Sequence, residues 1–218
     1  MRILVYGDSN SWGYLDDGSG TRHPERWPVM MARHLRAAGT EIELVEECLP
    51  GRTTNVDDPQ EGDWCNGSAP LQAILLSQQP LDHIILMLGT NDMKARFNRD
   101  APAIAAGLMS LLAIIRDTAA GPGGWHDEAT APVTIICPPE LGELADDPHW
   151  IRHREWRGGR ATSQTLPPVL REACVAAGAG FIDGNRHAVS SPRDPIHWSA
   201  ETQAAFGVAI AREIKASG

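Results

Sequence analysis

Five apolar segments that alternate with amphipathic ones constrain the fold of this chain most strongly. The apolar segments lie at residues 2–6, 42–47, 81–88, 131–137 and 179–183, and the amphipathic ones at about 27–38, 69–79, 101–119, 163–177 and 200–216. Continuous apolar strands are typical of parallel sheets buried on both faces, and strands that alternate with helices build such sheets. We therefore predict an α/β fold, a three-layer flavodoxin-like sandwich with a five-stranded parallel sheet covered by helices on both faces.

The chain is predicted to form a single domain that spans residues 1–218. A chain of 218 residues can bury one sizeable core, and neither an internal repeat nor a low-complexity linker divides it. Residues 138–162 depart from the alternation because they are rich in proline, glycine, tryptophan and charge. We expect a loop-rich insertion beside the sheet, which serves as a lid or as a subunit contact.

Charge and hydropathy limit the classes of partner. The net charge of −9 disfavours nucleic acid and anionic membranes as ligands. No apolar run approaches the roughly 18 residues that suggest a membrane span. The first residues, MRILVYG, have too short an apolar run for a secretory signal, so we expect a cytoplasmic protein.

The cysteines predict neither disulfides nor a metal site. None of the four (Cys48, Cys65, Cys137, Cys174) stands in a C-x-x-C motif, so free and mostly buried thiols are expected. The spacing typical of zinc ligands is also missing, and we predict no bound metal.

Small and hydrogen-bonding residues follow several of the predicted strands. In open parallel sheets, ligands bind beyond the carboxyl ends of the strands. The segments at these ends are GDSN after the first strand, CLPGRTTN after the second, GTND after the third, PPEL after the fourth, and DGNRH and then DPIHW after the fifth. Three of the ends carry residues of the kind that an acyl-transfer site needs.

Ser9, at the end of the first strand, is the candidate nucleophile. A serine needs a base within hydrogen-bond reach, and that base needs an orienting partner. The chain has eight histidines, and position alone does not select one of them. His197 stands three residues after Asp194, a spacing that can pair the two but is a weak signal. Asp183, at the end of the fifth strand, is an alternative orienting acid.

Three groups are candidate donors for an oxyanion hole: the backbone N–H of Gly51, the side chain of Asn91 and the backbone N–H of Ser9. The alternatives are an ordinary glycine turn and an asparagine helix cap, both of which are common. Trp12 and Trp198 flank the candidate nucleophile and base in sequence, so we expect them to wall the substrate pocket.

Taken in chain order, these residues resemble the four blocks of the SGNH (GDSL-type) hydrolases. Ser9 in GDSN matches the nucleophile block, Gly51 in PGRTTN the second, Asn91 in GTND the third, and Asp194 and His197 in DPIHW the fourth. The resemblance covers essentially the whole chain. It implies a triad of Ser9, His197 and Asp194, an oxyanion hole of Ser9, Gly51 and Asn91, and no cofactor.

A narrower likeness is visible to the bacterial arylesterase/acyltransferase subgroup, through GDSNSWGY, RWP, GRTTNVDDP, IILMLGTND and DPIHWSAE. It implies a serine esterase for short-chain acyl esters (aryl or alkyl acetates, acetylated sugars), acyl transfer to alcohols, and a homo-oligomer. Asn10 replaces the fourth residue of the usual G-D-S-L and changes the pocket wall. Pro50-Gly51 stands where strong acyltransferases have Ser-Ala, which argues against efficient transfer. Pro50 is also expected to line the substrate pocket.

A different class of protein is the main alternative. A flavodoxin-like binding module could use the same sheet edge for a phosphate or nucleotide. A P-loop needs G-x-x-x-x-G-K-[ST], and a dinucleotide site needs G-x-G-x-x-G after the first strand. The segment GDSNSWG contains neither pattern, so the sequence favours the esterase. A catalytically dead scaffold would require the loss of a triad member, and all three are present.

Overall fold

A five-stranded parallel sheet forms the centre of the protein. A computed structural model describes residues 1–217. The strands are β1 (Arg2–Gly7), β2 (Glu43–Cys48), β3 (His83–Met87), β4 (Val133–Cys137) and β5 (Gly180–Asp183), in the spatial order β2-β1-β3-β4-β5. All four neighbouring pairs are parallel. The predicted α/β sandwich is confirmed.

Helices cover both faces of the sheet. They are α1 (Ser9–Trp12), α2 (Trp27–Ala37), α3 (Ser68–Gln78), α4 (Ala101–Thr118), α5 (His153–Trp156), α6 (Gly159–Ala177) and α7 (Ala200–Ser217). The side chains of β1 alternate between the two faces. Ile3 and Val5 pack with α2 and α7, whereas Leu4 and Tyr6 pack with α3, α4 and α6, and all four are fully buried. This alternation follows from the period of two of a strand.

The edge strand β2 departs from the expectation of burial on both faces. Its six residues are exposed or half-buried. Glu46 and Glu47 lie within it, and Glu46 pairs with Arg26 of the loop before α2 at 2.5 Å. An edge strand has a neighbour on one side only, so it can carry charged residues that a central strand cannot.

Residues 138–162 connect β4 to α6 and are more ordered than a plain loop. They contain a 3₁₀ turn at Glu143–Asp146, the short helix α5 and the first turn of α6. Helix α6 begins at Gly159, four residues before the predicted start. Arg157 follows the end of α5, and Gly158, with a positive φ of 83°, precedes the first residue of α6.

Helix α4 is long and apolar enough to cross a membrane by length and composition. In this structure eight of its residues are buried, and the helix packs in the core with α3 and α6. This placement is that of the core helix of a folded domain.

The reversal of strand order positions the site. The chain moves from β1 outward to β2 and then returns to β3 on the other side of β1, which opens a crevice at the carboxyl ends of β1 and β3. Gly7 and Met87 end these two strands and lie in register. A Cβ on Gly7 would lie 2.3 Å from Ser11 Oγ, so only glycine lets α1 fold back tightly onto β1.

Candidate active site

Ser9 is held at the start of a tight turn of helix. Asp8 caps α1, its carboxylate accepting a hydrogen bond of 3.0 Å from the Asn10 N–H. Ser9 is therefore the first residue of the helix, where backbone N–H groups lack an intrahelical partner. Gly13, with a positive φ of 94°, ends the helix after one turn. The serine predicted at the strand end thus lies directly above the sheet.

His197 links Ser9 to Asp194. Its Nε2 lies 3.1 Å from Ser9 Oγ, and its Nδ1 lies 2.6 Å from Asp194 Oδ2. The other carboxylate oxygen of Asp194 accepts the backbone N–H groups of Ile196, at 2.9 Å, and His197, at 3.3 Å. This is the arrangement in which a base can accept the serine proton while an acid fixes its tautomer. Asp183, the alternative orienting acid, instead accepts from Asn185.

These contacts favour the ionised form of the Asp194 carboxyl. Burial by itself raises the pKa of this carboxyl, but the His197 side chain and the two backbone N–H groups outweigh it and hold the pKa below its usual range. Asp194 is therefore ionised at neutral pH and stabilises a positive charge on His197.

Gly51 and Asn91, two of the predicted oxyanion donors, line the cleft together with His197. Gly51 has a positive φ of 85°, and a Cβ there would lie 2.4 Å from Glu61 Oε2, so the position requires glycine. The Asn91 side chain donates one hydrogen bond of 3.1 Å to the Arg52 carbonyl, which fixes its orientation and leaves its second N–H for another acceptor. Both residues line the same cleft as Ser9.

Asp92 ties the Gly51 loop to the Asn91 loop. Its carboxylate accepts from Thr54, the backbone N–H at 2.9 Å and the hydroxyl at 2.5 Å. Arg99 pairs with the same carboxylate at 3.2 Å and also donates to Asn55. These bonds join the second and third sequence blocks, so the two predicted oxyanion donors share one rigid support.

The cleft that contains Ser9 is small, with a volume of about 170 Å³. Pro50 lines it, as predicted. Sequence reasoning missed six further lining residues: Tyr14, Glu61, Lys94, Arg152, Trp156 and Ile196. Ile196 lies inside DPIHW, Tyr14 inside GDSNSWGY, and Lys94 closely follows GTND, whereas Arg152 and Trp156 lie in the predicted insertion at 138–162. Glu61 had no sequence signal.

Three predicted pocket residues do not line the cleft. Trp198 is 1% exposed and packs on Phe206 at 4.7 Å between ring centroids, because the residue after His197 points to the opposite side of the extended segment. Asn10 is buried and donates to the Ile196 carbonyl. The Arg22 guanidinium carbon lies over the Trp12 indole, 5.6 Å from the centroid of the indole ring. These three expectations were wrong.

Asp8, the residue directly after β1, carries an unusual carboxyl. Burial raises its pKa to about 6, although the Asn10 N–H and His197 act in the opposite direction. One of its oxygens, Oδ2, is buried without a hydrogen-bond partner among the described residues. The interactions of Asp8 support the turn that holds Ser9.

The cysteines are free thiols, as expected. Burial raises the pKa of the Cys174 thiol to about 11. The pKa of the Cys65 thiol is also above its usual value, for the same reason. Within residues 1–217, His, Cys, Asp and Glu side chains form no group of three or more that could hold a metal ion.

Comparison with known proteins identifies the family of this chain. The model of the GDSL-like lipase/acylhydrolase family matches residues 5–205. The chain belongs to this family. This SGNH-type member carries the Ser, Gly, Asn and Asp-x-x-His blocks predicted above.

Solved structures support the same assignment. The M. smegmatis aryl esterase has 32% identity over 99% of this chain and 98% of its own, with a TM-score of 0.88. Est24, a carbohydrate acetylesterase from Sinorhizobium meliloti, is 33% identical over 100% of this chain and 99% of its own, with a TM-score of 0.88. A putative arylesterase from Agrobacterium tumefaciens is 32% identical over 99% of this chain and 98% of its own, with a TM-score of 0.83. No curated protein matches. The SGNH-type member described here is a carboxylic ester hydrolase.

Proposed function

We propose that the protein hydrolyses short-chain acyl esters through a covalent acyl-Ser9 intermediate. The observation that carries this proposal is the continuous chain from Ser9 Oγ to His197 Nε2, 3.1 Å, and from His197 Nδ1 to Asp194, 2.6 Å. A serine within reach of an oriented imidazole is the arrangement that activates a hydroxyl as a nucleophile.

The first half-reaction forms the acyl-enzyme. His197 accepts the Ser9 proton as Ser9 Oγ attacks the ester carbonyl, and the carbonyl oxygen becomes an oxyanion. The N–H groups of Ser9, Gly51 and Asn91 bind this oxyanion. When the tetrahedral intermediate collapses, the C–O bond to the alcohol breaks and His197 returns the proton to the leaving oxygen.

The second half-reaction repeats these steps with water. His197 accepts a proton from water, the hydroxide attacks the acyl carbonyl, and Ser9 leaves with the proton. An alcohol in place of water would give a new ester, so transfer to alcohols needs no further group. The expected cytoplasmic location and homo-oligomeric state remain predictions.

The proposed substrates are aryl or alkyl acetates and acetylated sugars. The small cleft supports short acyl groups. The names of two similar structures, an aryl esterase and a carbohydrate acetylesterase, support these two kinds of alcohol. A binding module without hydrolytic activity has no observation in its favour.

The Ser9→Ala variant tests the proposal. We expect kcat for 4-nitrophenyl acetate to fall by at least about 10³-fold, since the residual rate comes from binding and the oxyanion hole alone. Ser19→Ala, in an exposed loop, is the matched control and should leave kcat unchanged. Full activity in Ser9→Ala would contradict the acyl-Ser9 intermediate.

A further inference from the structure

The wall of the cleft beside the oxyanion donors is charged. Lys94 follows Asn91 by three residues and lines the cleft, although only 1% of its side-chain surface is exposed. Glu61 also lines the cleft, and its Oε2 lies against Gly51. Lys94 Nζ and Glu61 Oε1 form an ion pair of 2.5 Å. An ion pair therefore stands next to the groups that would bind the ester carbonyl.

Further ion pairs fix this wall. Lys94 Nζ lies 3.7 Å from Asp58 and 3.9 Å from Glu155. Arg96 pairs with Asp58 at 2.5 Å and with Glu61 at 3.1 Å. These residues come from the loop after β2, the segment after β3, and α5. Because three parts of the chain share the network, the two wall side chains have little freedom to move aside.

Beside His197 the cleft lining includes an aromatic and an aliphatic side chain, those of Tyr14 and Ile196. The ring of Tyr14 lies 4.5 Å from that of His197, between centroids, and Ile196 precedes His197 in the chain. The leaving alcohol must stay beside His197, because this imidazole returns the proton to it. The carbonyl oxygen faces the oxyanion donors, so the acyl chain, the third substituent of the carbonyl carbon, must lie along the rest of the cleft lining, which includes Lys94 and Glu61.

A long acyl chain would meet this wall unfavourably. Methylene groups beside an ammonium and a carboxylate would remove water from the charges without offering hydrogen bonds in return. An acetyl group ends before that contact arises. The polarity of the wall, in addition to the size of the cleft, thus disfavours longer chains.

We propose that the Lys94–Glu61 ion pair is the specificity-determining element that limits the acyl chain to a few carbons. This inference rests on the proposed acyl-Ser9 chemistry. In it, two residues outside the four sequence blocks select the length of the acyl chain. Because Glu61 also lies against Gly51, the test compares two esters of the same alcohol, so that a change at the oxyanion donors affects both rates and cancels in their ratio.

The test is the double variant Lys94→Met/Glu61→Gln, which removes one charge of each sign and so keeps the network's charge balance. The measured quantity is the ratio of kcat/KM for 4-nitrophenyl acetate to that for 4-nitrophenyl hexanoate. We expect this ratio to fall by about tenfold or more, the scale of discrimination that pocket contacts with a few methylenes provide. If the double variant does not fold, Glu61→Leu, at an exposed position, serves in its place, and we expect it to lower the ratio as well.

Arg26→Met/Glu46→Gln is the matched control, because it removes another ion pair of 2.5 Å that lies outside the cleft. Its ratio should equal that of the wild type. An unchanged ratio in the cleft variants, or an equal fall in the control, would overturn the proposal. Labelling of Ser9 by a fluorophosphonate in the wild type and in each variant distinguishes the two proposals. If the acyl-Ser9 chemistry itself were wrong, the wild type would not be labelled.

Discussion

At the scale of single residues, Asp8 shows how burial at the nucleophile turn links charge to stability. Its carboxyl is fully enclosed, with a pKa raised to about 6, whereas the ordinary value is 3.8. The folded protein therefore binds this proton more tightly than the unfolded chain. The stabilisation is complete below pH 3.8 and is lost as the pH rises through about 6, where the buried carboxylate becomes charged.

The Asp8→Asn variant should remove this dependence, since an amide keeps the acceptor for the Asn10 N–H and carries no charge. We expect its free energy of unfolding, relative to the wild type, to rise by about 1–3 kcal/mol between pH 4 and pH 8. Urea unfolding at several pH values measures the difference. A constant difference across this range would show that Asp8 ionises in the folded protein as it does in the unfolded chain.

At the scale of elements, helix α4 packs tightly against the loops behind the site at Gly107. A Cβ there would lie 2.2 Å from Thr54 Oγ1 and 2.9 Å from both Arg99 Nη2 and Asn55 Oδ1. These groups belong to the network around Asp92 that supports Gly51 and Asn91. The glycine thus lets the helix pack directly against the loops that would bind the oxyanion.

We expect Gly107→Ala to lower kcat/KM for 4-nitrophenyl acetate by about 10-fold to 100-fold, because displacement of Thr54 would misplace the oxyanion donors. Alanine otherwise favours a helix over glycine, so propensity alone predicts a more stable protein with normal activity. Ala106→Gly, on the exposed face of the same helix, is the control and should keep its kcat/KM. Unchanged kinetics in Gly107→Ala would mean that the loops adapt to the added methyl group.

The elements also show why the sequence predicted so much of the site. Each of Ser9, Gly51 and Asn91 follows a strand, and parallel strands end at one edge, so their convergence follows from the order of the elements. Trp198 was misplaced because proximity in sequence to His197 does not tell which side of an extended segment a side chain takes. Its burial against Phe206 depends on how α7 packs, which no local pattern encodes.

At the scale of the whole molecule, the site joins residues from nearly opposite ends of the chain. Ser9 and His197 are 188 positions apart and meet only because successive βα units wind on both sides of β1. The strand pattern predicted this topology. Much of the cleft wall could not be predicted, because Glu61 arrives through a loop and Trp156 through the short helix α5, whose positions depend on ion pairs and packing formed only in the complete fold.

The proposed role of Ser9 as the nucleophile can be tested by peptide mass spectrometry after treatment with a fluorophosphonate. We predict one adduct, on the peptide that contains Ser9, with loss of 4-nitrophenyl acetate turnover in proportion to labelling. Labelling should be much slower in His197→Ala, because the imidazole activates the hydroxyl. An active enzyme that carries no adduct on Ser9, or that keeps its turnover after Ser9 is modified, would contradict this account.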